Sequence, residues 1–376
     1  MKRIGHVAAA AGLALTLLPN LAHASDDEAP VVVGRKKIFT LKTEDGQFSL
    51  GITGRLQGRW EAVYLRGDDS ELTDRFLLPA ARLGFEGKLR GTTEFKAQID
   101  VGKGVVTLKD YYFDHPVGGP AWVRVGQYKK PFAREQINSS GNLQMVTRSS
   151  ADKFSGSGRD IGVIVHNEYD KSPKGLEWAV GVFNGVGEAP TVTCKDATMP
   201  QSCTSSNVPH DIGPQAVARV GWNHGGIKGY SEADLEGGPL RFAVAAAYML
   251  DFKDGKSELF EHRVGLDFIA KVCGFSAAGG AYLVDKTDTD GKFELGDQFA
   301  GFLQAGFMVT KKMEVSARGA QVPIAGGEYS HELLLGYSWY GAGHAFKWQT
   351  QAGVIHDTGS AGGTDKVLST QAQLVF

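Results

Sequence analysis

The chain has 376 residues, with 40 Lys and Arg against 42 Asp and Glu, a formal net charge of -2 and 50 Gly. So even a balance excludes a partner recruited by bulk charge, nucleic acid above all, and any preference for anions must come from where charges sit. The apolar fraction is 42%, yet no apolar run reaches the ~20 residues of a spanning helix, which leaves a soluble exported protein or a membrane barrel.

Residues 1–24 read as a secretory signal peptide. Lys2 and Arg3 precede an apolar run from Val7 to Leu18, and Ala22-His23-Ala24 supplies a small-x-small cleavage site. Residues 25–45 form a short charged lead-in. The remainder, 46–376, reads as strands to its last residue.

The first strand, Phe48 to Leu65, sets the pattern. Phe48, Leu50, Ile52, Leu56, Trp60 and Tyr64 share one face, and Ser49, Thr53, Arg55, Gln57, Arg59 and Glu61 the other. Strict alternation over this length excludes an amphipathic helix and is long for an ordinary sandwich strand. It recurs at 81–90, 94–101, 240–248, 313–318 and 346–354. The last strand, 367–376, puts Leu368, Thr370, Ala372, Leu374 and Phe376 opposite Ser369, Gln371 and Gln373. Lipid demands one apolar face and a water-filled interior does not, so such strands close a transmembrane barrel.

Counting all such segments gives roughly sixteen strands, within the even-numbered range of bacterial barrels. The expected fold is therefore all-β: a transmembrane, antiparallel, up-and-down β-barrel. The pattern does not fix the register over 106–114 and 275–283. Short turns are expected at Gly91-Thr92, Cys273-Gly274 and Gly341-Ala342-Gly343. Longer polar loops are expected at 66–74, 129–158, 186–214, 284–297, 321–328 and 356–366. Two connections break the alternation of long and short: 102–104 is short where a loop is due, and 223–239 is long where a turn is due. Aromatics at Trp60, Tyr64, Trp222, Tyr248, Tyr337, Trp339 and Trp348 fall near strand ends, as an interfacial girdle requires.

Among the loops, 129–158 stands out: at about thirty residues it exceeds the usual range, and such loops are commonly functional or disordered. It carries Lys129, Lys130, Arg134, Arg148, Lys153 and Arg159 around it, and Pro131-Phe132 suggests a packed start. Folded into the barrel, it would place cations at a constriction. In the next loop, Cys194 and Cys203 bracket CKDATMPQSC, which in an exported chain reads as a disulfide, with two free thiols as the alternative. Cys273 stands alone beside Gly274.

Some sixteen strands leave room for an aqueous channel, whose inward charges decide what passes. The inward basic set includes Arg55, Arg59, Arg82, Lys88, Arg90, Lys96, Arg124, Arg219, Arg241, Arg263, Lys271, Arg318 and Lys347. The inward acids, Glu61, Glu86, Glu94, Asp100, Glu177, Asp267, Glu314 and Glu332, are fewer. Arg keeps its charge at any working pH, and its planar fork matches phosphate or carboxylate oxygens. Two readings stay open: an anion path lined by Lys129, Lys130, Arg134, Arg55, Arg59, Arg82, Arg219 and Arg241, or arginines paired with inward carboxylates in a weakly selective lumen.

The segments DGQFSLGITGRLQGR (45–59), RLGFEGKLRGTTEFKAQID (82–100), VRVGQYKKPFARE (123–135), TRSSADKF with GRDIGV (147–163) and GVFNGVG (181–187) resemble the phosphate-selective porin O and P family. The resemblance implies a trimeric sixteen-stranded porin with an inward-folded third loop bearing lysine and an arginine ladder along the pore. By position, Lys129 or Lys130 would be the loop cation, and Arg219 and Arg241 ladder members. The implied function is passive diffusion of small anions, phosphate or polyphosphate among them, across the bacterial outer membrane. The implied partners are small inorganic anions, outer-membrane lipid and two further copies in a homotrimer.

Other functions have weaker support. A general diffusion porin and a plugged barrel serving as receptor or anchor remain as alternatives. No G-x-S-x-G elbow, phosphate loop or metal helix motif appears, so neither an enzyme, a lipase included, nor a cofactor or metal site is expected. His166, His262, His331 and His344 read as strand-end or turn residues.

Overall fold

A computed structural model of the chain describes residues 31–32, 40–65, 71–102, 104–188, 191–194, 203–206, 213–252, 260–286, 298–324, 327–358 and 362–376. The signal-peptide reading of 1–24 lies outside them. Eighteen strands form one sheet, of which two, Val31–Val32 and Thr40–Lys42, are short. The other sixteen make the barrel. They are β1 (Ser49–Leu65), β2 (Glu71–Leu89), β3 (Thr93–Asp100), β4 (Thr107–Gly118), β5 (Ala121–Lys129), β6 (Arg159–His166), β7 (Gly175–Phe183) and β8 (Gln215–His224), then β9 (Arg241–Phe252), β10 (Phe260–Val272), β11 (Phe275–Lys286), β12 (Gln298–Thr310), β13 (Met313–Pro323), β14 (Tyr329–Tyr340), β15 (Phe346–Asp357) and β16 (Thr364–Val375).

Each strand pairs antiparallel with the next, and β16 returns to β1 with Lys366 opposite Tyr64 and Val375 opposite Arg55. Closure removes the open edges that a bilayer cannot satisfy. At the seam β16 ends early: Phe376 and Gly54 exchange backbone hydrogen bonds at 3.0 and 2.7 Å. Below that point Thr40–Lys42 pairs with Ser49–Gly51 of β1 and covers the remaining edge. The end of the charged lead-in is thus part of the wall.

Alternation sorts the side chains as lipid requires. On β9, Ala243, Ala245, Ala247 and Met249 face inward and are buried, whereas Val244 and Tyr248 face outward and are exposed. On β16, Leu368 and Leu374 are exposed, and Ser369, Gln371 and Gln373 are buried. Tyr64, Trp222, Tyr248, Tyr337 and Trp348 are also exposed on the outside. The stretch 66–74, expected as a loop, gives its second half, Glu71–Asp74, to β2.

The C-terminal Phe376 and the short turns lie at one end of the barrel. Cys273 and Gly274 both take positive φ (50° and 86°), the two-residue geometry that suits the twist of a tight hairpin. The long connection 184–214 holds a small hairpin of Thr191–Cys194 and Cys203–Ser206, with Cys194 directly opposite Cys203. The side chains of that hairpin, and with them the disulfide reading, lie outside the described residues.

The interior is not a bare polar tube. Segment 130–158, with short helices α1 (Arg134–Ile137) and α2 (Ser150–Phe154), lies against the inner wall. Its Phe132, Ala133, Ile137 and Ala151 pack on inward-facing Ala179, Val217, Ala247, Met249, Tyr282 and Ala300. From the short-turn end, the connection 225–240 also enters the lumen, burying Ile227 and Ala233. The anomalous length of 223–239 in the sequence is this inward excursion.

Candidate functional site

A segment laid inside a barrel must find partners for its backbone groups, because water no longer reaches all of them. Here the wall supplies them from inward Gln, Lys and Arg side chains. Gln373 Nε2 donates to Gly141 O at 2.9 Å, Lys347 Nζ to Leu143 O at 2.7 Å, Gln349 Nε2 to Gln144 O at 2.9 Å and Arg318 Nη1 to Thr147 O at 2.6 Å. Gln351 Oε1 accepts from Val146 N at 3.0 Å. Two inward glycines make room: a Cβ on Gly306 would collide with Gln144, and one on Gly336 would sit 2.6 Å from the Met145 sulfur.

Ion pairing divides the sequence-predicted cations into two groups. Arg134 and Arg219 belong to a closed quartet. Arg134 Nε lies 2.7 Å from Asp267 Oδ1 and its Nη2 3.1 Å from Glu177 Oε1. Arg219 lies 2.7 Å from Asp267 Oδ2 and 3.2 Å from Glu177 Oε1, and also bonds Phe132 O at 2.7 Å. All four side chains are buried and their formal charges cancel. Arg241 bonds Asp234 at 2.5 Å and Glu236 at 2.9 Å, holding the 225–240 connection. These residues tie the lumen together. Arg219 and Arg241 thus each bond two carboxylates.

Lys130 is likewise committed. Its ammonium is buried and donates to Gln215 Oε1 at 2.6 Å. Burial pulls it down to about 8, with Asp160 opposing and Arg263 reinforcing the shift.

The second group is different. Arg55 donates to Ser139 Oγ at 2.6 Å and Ser140 Oγ at 2.8 Å, and its Nε has no partner among the described residues. Lys129 donates to the carbonyls of Ile137 and Asn138 at 3.1 and 2.8 Å. Neither makes an ion pair among the described residues. Arg59 divides its bonds between Gln371 Oε1 (2.9 Å) and Val146 O (3.1 Å), with Glu61 at 3.8 Å. Arg82 pairs with Asp100 at 2.8 Å.

Arg55, Arg82 and Lys129 meet around one cavity of about 130 Å³ on the β1–β6 side. Lys96, Arg124 and Arg159 complete its cations, while Asp110 and Asp170 are its carboxylates, so six positive side chains face two negative ones. A second cavity of about 610 Å³ opens at the short-turn end, lined by Arg55, Lys228, Lys271, His344 and the chain's C-terminal residues. Arg55 lines both.

Sequence reasoning missed Asp110 and Asp114. Asp110 pairs with Arg159 at 2.7 Å and Lys96 at 3.3 Å, and Asp114 with Arg124 at 2.7 Å. Both lie in the stretch whose register the pattern left open. A bulge between Ala97 and Ile99 shifts the β3–β4 pairing there, so alternation counted from a neighbour fails. Glu232 and Asp234, on the inward connection, also gave no periodic signal.

The family described as "Phosphate-selective porin O and P" matches residues 50–196 of the chain. No curated protein matches it closely. Among solved structures, the chain is similar to an anion-selective porin from Comamonas acidovorans, with 13% identity over 88% of this chain and 100% of that one and a TM-score of 0.59. It is similar to the outer-membrane channel DcaP of Acinetobacter baumannii, with 12% identity over 89% and 99% of the two chains and a TM-score of 0.56. It is also similar to the trimer form of the outer-membrane protein OmpT of Vibrio cholerae, with 10% identity over 88% and 99% and a TM-score of 0.53. At these identities the structures establish the shared fold. With the family match over residues 50–196, they support a bacterial outer-membrane barrel with the porin fold. The short-turn end is then periplasmic.

Proposed function

We propose that this porin passes small inorganic anions by passive diffusion, with phosphate or polyphosphate among them, as a homotrimer in outer-membrane lipid. The observation that carries the reading is the pair Arg55 and Lys129. Both point into the cationic cavity, and their hydrogen bonds go to hydroxyl and carbonyl oxygens instead of carboxylates. A cation held by neutral acceptors keeps its field, whereas one paired with a carboxylate is cancelled at a few ångströms. Arg adds a planar fork suited to phosphate oxygens, and Lys a point charge. Such a site binds an anion well enough to admit it and loosely enough to release it.

In this reading Arg55, Arg59, Arg82 and Lys129 line the path. Lys130, Arg134, Arg219 and Arg241 keep the loop and turn in place. The trimer draws on the solved trimer form of OmpT, and the domain plan keeps 1–24 as a cleaved leader, 25–45 as a lead-in and 46–376 as the barrel.

A second reading, a weakly selective general porin, is favoured by the many lumen arginines already neutralised by carboxylates. Graded phosphate added to a chloride current in a single reconstituted channel separates the two. Saturable block at low phosphate supports the anion site, and a current that follows bulk conductivity alone supports the general porin.

A further inference from the structure

At the periplasmic end the other described connections, 90–92, 119–120, 167–174, 273–274, 311–312 and 341–345, are short. The one from β8 to β9, 225–240, is long and turns inward. It is braced from below: Arg241 holds Asp234 and Glu236, Gly274 N donates to Asp234 Oδ2 at 2.8 Å, and Lys271 Nζ reaches the carbonyls of Lys228 and Ser231. From this brace Glu232 projects into the lumen and is buried.

Glu232 meets the long loop on both sides of one short stretch. Its Oε1 accepts from Asn138 Nδ2 at 3.1 Å, and its Oε2 from Gln144 N at 2.8 Å and Gln304 Nε2 at 3.0 Å. Its own backbone N–H donates to Asn142 O at 3.2 Å, and Asn142 Nδ2 donates to Tyr230 O at 3.2 Å. Between Asn138 and Asn142 lie Ser139, Ser140 and Gly141. The two serines receive the Arg55 guanidinium, and Gly141 approaches it so closely that a Cβ there would lie 2.9 Å away.

We infer that Glu232 is a positioning residue for selectivity. From the periplasmic turn it clasps both ends of 138–144, and so fixes the serines that hold Arg55 at the junction of the two cavities. The inference rests on the anion reading above and adds that the filter is set by an element outside the loop that forms it. The clasp works through hydrogen bonds and not through its charge. Three neutral donors converge on the carboxylate, and Asn138 Oδ1 has no partner among the described residues, so an amide at 232 finds an acceptor when the Asn138 side chain rotates.

The test compares full-length wild type with Glu232→Ala and Glu232→Gln in planar bilayers under a KCl gradient, after each shows the compact heat-shifted gel band of a folded barrel. Glu232→Ala is expected to lower the docked-to-undocked ratio of 138–144 roughly tenfold, the equivalent of one net hydrogen bond. It reads out as larger, noisier openings and a chloride-to-potassium permeability ratio nearer unity, while Glu232→Gln keeps the wild-type ratio and quiet openings. If Glu232→Ala does not fold, Asn138→Asp, which sets a like charge against Glu232, replaces it with the same expectation. Wild-type conductance and reversal potential in the clasp-breaking variant overturn the inference. Equal shifts of reversal potential in the Ala and Gln variants also overturn it, since Glu232 would then act as a lumen charge. A wild type without anion preference sinks the anion reading instead, and the size and steadiness of the openings still decide the clasp.

Discussion

Arg134 of the loop and Arg219 of the wall grip the two oxygens of one carboxylate, Asp267, each at 2.7 Å. With Glu177 they form the buried joint by which α1 is fixed to β7, β8 and β10. Removing one member of a buried ionic cluster leaves an uncompensated charge, at a cost of roughly 3–5 kcal/mol. Asp267→Asn is therefore expected to loosen the loop and lower the temperature at which the folded gel band is lost. Arg219→Gln is expected to do the same. If both variants melt like wild type, the quartet is not what secures the loop.

Adjacent lysines separate in direction. Lys129 faces the cationic cavity, and Lys130 points away to Gln215. Reversing a charge a few ångströms from a passing ion is worth on the order of 1–2 kcal/mol after screening, or roughly tenfold in permeability ratio. Lys129→Glu is expected to cut the chloride-to-potassium ratio by that order and weaken phosphate block. Lys130→Gln, outside that cavity, is expected to change both far less. Reversal potentials of the two variants check this directly, and equal effects would contradict the assignment.

Inside the loop, Glu135 is buried and accepts from Ser149 N and Ser149 Oγ, both at 2.7 Å. Burial, with the nearby Asp152 and Glu232 carboxylates, pushes its carboxyl up to about 8, against the pull of Arg318 and the Ser149 bonds. The docked loop thus holds a proton that the released loop gives up near pH 4.5. Docking is undiminished below the lower value, weakens as pH rises between the two and is weakest above about 8. Single-channel noise is expected to grow as pH rises from about 4.5 to about 8 and to level off above that, and Glu135→Gln, which cannot ionise, removes that rise. Noise that is flat with pH in the wild type would contradict the prediction.

The hairpin in the 184–214 connection places the Cys194 and Cys203 backbones opposite one another. Directly opposed antiparallel positions lie within disulfide reach. Purified protein is expected to be alkylated only at the exposed Cys273 until a reductant is added. Labelling of all three thiols without reductant would exclude the bridge.

Much of the wall was legible because lipid and water impose a period of two on every spanning strand, as in Leu368 to Phe376. The interior was not, because alternation reports which way a side chain points and not what it meets. Arg55 and Arg219 look alike in sequence, each an inward arginine on an alternating strand. One meets two serines and the other two carboxylates, and that depends on how 130–158 lies in the lumen. The recesses at Gly306 and Gly336, which admit Gln144 and Met145, follow from the same docking and leave no local pattern. The inward turn at 225–240 did leave a trace, its length, but no periodicity to say where Glu232 would go.

The central claim is that uncompensated cations at Arg55 and Lys129 set the charge preference of the channel. Its most direct test is the reversal potential of the purified protein in a planar bilayer under a KCl gradient, with the Arg55→Gln, Lys129→Gln double variant beside it. The account predicts a chloride-selective sign for the wild type and a shift toward zero in the variant. A wild-type potential at zero or of cation-selective sign, or a variant indistinguishable from a chloride-selective wild type, would contradict it.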